Sequence, residues 1–126
     1  MKVAMERSNI RADQVEYVNA HATGTLQGDA QEAIAVAKTY GLEMPISSLK
    51  AHFGHSMAAC GVIELIATLK MMESGTLIAT RNLEEVAPEC AGAFHLQKNL
   101  KRNITTAISN NFAFGGINAS FLLKKV

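Results

Sequence analysis

Apolar and polar positions fall into blocks along this chain, and the blocks predict its elements. Val15 to Val18 is a short apolar run that ends at Asn19, enough for a buried strand over Val15–Asn19 and too short for a helix. In Asp29–Tyr40 the residues Ala30, Ala33, Ile34 and Ala37, with the stem of Lys38, repeat at the helical period. That predicts a helix capped by Asp29 and ended by Gly41. Pro45–Leu49 reads as a second short strand. Ser56–Ser74 is the longest periodic segment, and Ala58, Ala59, Val62, Leu65, Ile66, Leu69 and Met72 predict a broad apolar face that stops at Gly75. Gly61 lies inside that helix, where glycine costs about 1 kcal/mol relative to alanine, so it predicts close packing against a neighbouring backbone.

The remaining segments are shorter. Met1–Asn9 reads as helical turns with Val3, Met5 and Ile10 on the apolar side, and Ile10–Gln14 as a connector. Thr76–Ala91 contains Pro88 and the acidic Glu84, Glu85 and Glu89, which predicts a solvent-facing loop. Phe94–Gln97 is a short strand candidate. Ile104–Asn110 and Ser120–Lys124 are two more, joined by the Gly-rich turn Phe114-Gly115-Gly116, and so short a link predicts an antiparallel hairpin. The order βαβαβββ predicts one α/β domain over 1–126 with helices packed on a mixed sheet.

Composition narrows the function classes. The chain has 126 residues, 48% hydrophobic and 18% charged, with a formal net charge of +1. That balance gives no basis for binding nucleic acid or an anionic membrane surface. The low charge content suggests surface buried against another chain. Met1–Asn9 carries Lys2, Glu6 and Arg7 without an apolar core, so it does not read as a signal peptide. No apolar run approaches the roughly 20 residues needed to span a bilayer. Two cysteines without a C-x-x-C spacing fit a reducing cytoplasmic setting better than a disulfide framework.

Candidate chemistry sits where predicted strands end. His21 follows the first strand and leads into the polar turn Thr23-Gly24-Thr25; His55 follows the second, five residues after Lys50. Strand exits are where α/β sheets carry their sites. Either histidine alone also fits a loop side chain that merely hydrogen-bonds. The pair with Lys50 is more specific, and on residue type it fits both donation to an oxyanion and acid–base work. His52, His55, His21 and Cys60 do not supply the four convergent ligands a zinc ion needs, so no metal is expected. Cys60, among small residues, reads as a small hydrophobe. Cys90 follows Pro88-Glu89 with no cation beside it, and His95 reads as a plain surface or interface histidine.

The segments N-A-H-A-T-G-T (19–25), G-D-x-x-E (28–32), K-x-x-x-G-H (50–55) and N-x-A-F-G-G-x-N (111–118) resemble the β-ketoacyl synthases, condensing enzymes of fatty-acid and polyketide synthesis. Order and spacing match over essentially the whole chain, which looks like the C-terminal half of such an enzyme. The resemblance implies a thiolase-like half-domain in which His21 and His55 donate hydrogen bonds to a thioester oxygen during decarboxylative condensation. It implies that Lys50 holds the site's charge balance and that Glu64 supports it. Thr23 and Thr25 would bind the pantetheine arm. The ring of Phe114, with Phe112, Gly115 and Gly116, would gate acyl entry, and the Phe114 N–H would bind the acyl oxyanion. No cofactor is implied beyond the phosphopantetheine carried by the acyl carrier protein.

The family's reactive cysteine belongs to the N-terminal half, so this chain alone is expected to be inactive. Expected partners are the carrier protein, that N-terminal half, and a second subunit in a homo-oligomer or heterodimer. A non-catalytic scaffold that binds the carrier or sets chain length is the alternative. Four positions depart from the family pattern: Ala22, Phe53, Ala113 and Ile117. A Cβ at 113 would restrict the turn if that residue needs positive φ.

Overall fold

The computed structural model describes residues 1–125. In chain order its elements are α1 (Lys2–Ser8), β1 (Val18–Asn19), α2 (Leu26–Tyr40), β2 (Pro45–Ser47), α3 (Lys50–Phe53), α4 (Cys60–Ser74), β3 (Thr76–Leu77), β4 (Phe94–His95), β5 (Leu100–Lys101), β6 (Thr106–Phe112) and β7 (Asn118–Lys124). Five strands form one sheet in the order β4-β2-β1-β6-β7. β4, β2, β1 and β6 run parallel, while β7 closes the edge antiparallel to β6. The mixed sheet and the hairpin are as the sequence predicts.

Alternation along the strands assigns the two faces of the sheet. Val18, Ala20 and Ile108 point to one side and pack with Met5 of α1, Val36 of α2 and Met44. Tyr17 and Ala107 point to the other and pack with Met71 and Met72 of α4, Leu77, Leu96 and Ile104. Register pairs Val18 with both Ile46 and Ile108, so β1 is the spine of the sheet.

Several elements differ from the sequence reading. The predicted strand at Val15–Asn19 shortens to Val18–Asn19, although Val15 and Tyr17 are buried beside it. Helix α2 begins at Leu26, with Thr25 at the N-cap position. Asp29 does not cap from outside but reaches back, its Oδ1 accepting the N–H groups of Gly24 (3.2 Å) and Thr25 (3.3 Å). Val3 is exposed, and Met5 is the residue α1 buries. The strands β3 and β5 pair antiparallel as a separate two-stranded sheet, and at two residues each they carry no readable period.

Helix α4 carries most of the apolar face predicted over Ser56–Ser74. It buries Cys60, Glu64, Thr68, Met71 and Met72 and leaves Val62 60% and Ile66 53% exposed, with Ile63 and Leu69 also outside. The strongest apolar stripe therefore faces away from this domain's core. Gly61 does not meet a backbone; a Cβ there would sit 3.5 Å from the Asn111 side chain, ordinary contact.

Candidate active site

The site is assembled at the C-terminal ends of β1, β2 and β6, where an open parallel sheet leaves backbone groups free to face a ligand. Just beyond β1, Ala20 N–H donates to Ser47 O at 2.9 Å, holding the two strand exits together. Glu32 of α2, 4% exposed, then braces the turn. Its carboxylate accepts the N–H groups of His21 (3.0 Å) and Ala22 (2.8 Å) and the Asn110 side-chain amide (2.9 Å). Burial pushes the Glu32 pKa above its ordinary value, opposed by those same hydrogen bonds. The backbone that projects His21 is thus fixed by a carboxylate from the neighbouring helix.

His55 arrives from the second strand exit. After β2 the chain enters the single turn of α3 and leaves it through Gly54 at φ 78, a conformation that costs glycine little. The two imidazoles meet edge to face, with ring centroids 5.6 Å apart and planes at 88°. The Phe112 ring also lies against His21, with centroids 5.8 Å apart. Burial, then the charges of Lys50 and His55, holds the His21 pKa below its ordinary 6.5. The neutral form of His21 is therefore favoured. Its Nδ1 is buried without a hydrogen-bond partner among the described residues. His55 Nδ1 accepts the Met57 backbone N–H at 3.2 Å.

Behind the histidines lies a buried polar network. Lys50 Nζ sits 2.6 Å from Glu64 Oε1, the two side chains 5% and 0% exposed. The contact is an ion pair rather than an aligned hydrogen bond, because Nζ has no partner of hydrogen-bond geometry. Asn19 donates from Nδ2 to Glu64 Oε2 (3.1 Å) and to Ser109 Oγ (3.0 Å), tying β1, α4 and β6 together. Cys60 fills the space between network and site, with Sγ 3.1 Å from His55 Nδ1 and 3.6 Å from Glu64 Oε1. The sequence reading of Cys60 as a plain hydrophobe is corrected by those contacts.

The other predicted residues divide. Thr23, Lys50 and His55 line one cleft of about 420 Å³, shared with Glu32, Ser48 and Cys90. Thr25 lies outside it, its hydroxyl 3.3 Å from that of Thr23. Phe114 is fully exposed, and Phe112 is the aromatic ring that lies against His21. Gly115 and Gly116 form the positive-φ turn between β6 and β7, at 81° and 79°. Ala113 has φ −123°, so its Cβ brings no strain to that turn. His52 and His95 bind backbone carbonyls, of Ala79 (2.9 Å) and Cys90 (2.8 Å) respectively. Asn19, Glu32, Ser109 and Asn110 escaped the sequence reading as site residues. Their available signal was polar side chains inside apolar runs, and Glu32 stands in a motif already noted.

The mixed sheet with helices packed on it is a thiolase-like fold, and the histidine pair lies at its strand exits. Residues 1–84 match the family model described as "Beta-ketoacyl synthase, C-terminal domain", and the chain belongs to the β-ketoacyl synthase family. It is 39% identical over 127 residues to 3-oxoacyl-[acyl-carrier-protein] synthase 1 of Escherichia coli (strain K12), covering 100% of this chain and 30% of that protein. A crystal structure of a β-ketoacyl synthase from Burkholderia phymatum STM815 superposes with a TM-score of 0.97 at 42% identity, over 100% of this chain and 31% of that one. A type II polyketide ketosynthase, described in complex with its acyl-carrier protein and bound to a hexaketide, superposes with a TM-score of 0.89 at 26% identity, over 99% and 31%. The chain thus spans about 30% of the length of the curated relative it matches. Among the described residues no helix is long and apolar enough to cross a membrane.

Proposed function

We propose that this chain is the histidine-bearing part of a β-ketoacyl-carrier-protein synthase of fatty-acid or polyketide synthesis, working in the cytoplasm. The observation that carries the reading is the edge-to-face pair of His21 and His55 at two adjacent strand exits, 5.6 Å apart. Two imidazole N–H groups so placed can both reach one oxygen. When a malonyl thioester loses carbon dioxide, the electron pair of the broken C–C bond moves into the enolate and charge collects on the thioester oxygen. Hydrogen bonds from His21 and His55 stabilise that charge, and each such donor supplies on the order of 3 kcal/mol. The enolate carbon then attacks an acyl-cysteine thioester; the new C–C bond forms as the cysteine thiolate leaves.

That cysteine comes from the N-terminal part of a complete synthase. Cys60 is 1% exposed and enclosed by His55 and Glu64, while burial, then Asp29 and Glu89, raises the Cys90 thiol pKa and disfavours its thiolate. Thr23 and Thr25 bind the pantetheine arm of the carrier protein, and Phe112, Phe114, Gly115 and Gly116 form the acyl gate. The ketosynthase relative described in complex with its acyl-carrier protein supports a carrier partner.

The test joins this chain to an N-terminal synthase half that carries the cysteine and follows release of labelled carbon dioxide from a malonyl-carrier thioester. His21→Ala and His55→Ala should each lower that rate about 10²–10³-fold. A rate insensitive to both substitutions overturns the reading. Carrier binding without any condensation would instead mark a scaffold subunit.

A further inference from the structure

Cys60 makes contacts that a packing residue does not need. It heads α4, follows a 3-10 turn over Met57–Ala59, and is 1% exposed. Its sulfur lies 3.1 Å from His55 Nδ1 and 3.6 Å from Glu64 Oε1. A thiol has one proton to donate. Glu64 Oε1 is the other acceptor within reach of the thiol, but it is farther and already faces the Lys50 ammonium at 2.6 Å. Nδ1 is the nearer acceptor. The Met57 N–H also points at Nδ1, at 3.2 Å; a proton on that nitrogen would face it head on.

We propose that Cys60 is a positioning residue for His55: its S–H and the Met57 N–H together hold Nδ1 free of a proton, so that the imidazole carries its proton on Nε2. The assignment rests on contacts within this chain. Its bearing on catalysis rests on the function proposed above, because Nε2–H is then the group left to donate to a substrate oxygen. The thiol also links the Lys50–Glu64 pair to the ring, through a group with a donor but no permanent charge.

Ring nitrogen NMR of the intact chain, labelled with 15N-histidine, reads the tautomer without any enzyme assay. Wild type should show His55 in the Nε2–H form, and Cys60→Ser, which keeps a donor, should preserve it. Cys60→Ala removes one of the two donors and should raise the minor Nδ1–H form of His55 several-fold. His52 and His95, whose Nε2 atoms bind Ala79 O and Cys90 O, are internal controls and should stay put if the fold is intact. A wild-type His55 protonated on Nδ1, a Cys60→Ser chain that loses the Nε2–H form, or a folded Cys60→Ala chain with unchanged His55 nitrogens would each overturn the proposal. If Cys60→Ala does not fold, the first two spectra still decide it. In the joined synthase, Cys60→Ala should lower kcat for decarboxylation with KM unmoved, and Cys60→Ser should restore it. Loss of all activity in the wild-type joined synthase would sink the functional reading and leave the tautomer result standing.

Discussion

Lys50 and Glu64 place two full charges where water does not reach. Such a pair contributes little net stability, since desolvation offsets the attraction, but removing one partner strands the other. Lys50→Met is therefore expected to lower stability by about 3–5 kcal/mol, read from urea unfolding midpoints of the chain; a loss below about 1 kcal/mol would contradict the buried pair. His21 gives a pH dependence of definite sign. The folded state binds the imidazole proton less tightly than the unfolded chain does, because of burial and then the charges of Lys50 and His55. Stability should fall as pH drops below 6.5 and through the folded midpoint, and His21→Gln should flatten that part of the profile. An NMR titration of His21 with a midpoint at or above 6.5 would refute it. At this scale the sequence was informative about groups at strand exits, and His21, Lys50 and His55 could be read there. It was silent on Asn19 and Ser109, whose partners lie 45 and 90 residues away along the chain and emerge once the sheet is paired.

Helix α4 has nearly the bounds the sequence predicts, and the broad apolar face expected of it is the one left outward. Periodicity finds the apolar stripe, but it does not say what the stripe packs on. Here the core side carries Cys60, Glu64 and Thr68, a polar row that a hydrophobicity pattern scores as surface. The stripe of Val62, Ile63, Ile66 and Leu69 is left outward. Covering several hundred Å² of such surface is worth on the order of 10 kcal/mol before association costs. The chain is therefore expected to self-associate through α4, or to be soluble together with an N-terminal partner. Sedimentation at low micromolar concentration should show an assembly that Ile66→Glu with Leu69→Lys disperses; a stable wild-type monomer would rule this out. Gly61→Ala should be neutral or stabilising by up to about 1 kcal/mol, since its Cβ meets the Asn111 side chain at ordinary distance. A marked loss of thermal stability would show that the glycine is needed after all.

For the molecule as a whole, the expectation is a domain that is folded yet chemically incomplete. Neither cysteine is placed as a nucleophile for a substrate: Cys60 is enclosed by Glu64 and His55, and burial disfavours the Cys90 thiolate. Incubated with an acyl thioester, the chain should show no stoichiometric mass increase on either residue; such an adduct would reverse the assignment of the two cysteines.

The two-residue spine of the sheet carries a consequence for the order of events in folding. Val18 pairs on one side with Ile46, a loop of 28 residues, and on the other with Ile108, a loop of 90. Closing the longer loop costs about 1 kcal/mol more in chain entropy, and such distant pairings slow folding. Ser109 and Asn110, which anchor Asn19 and Glu32, come with that late strand. A nascent chain could therefore form α2 and β2 early and still hold no ordered histidine pair, its chemistry withheld until residues near its end have arrived.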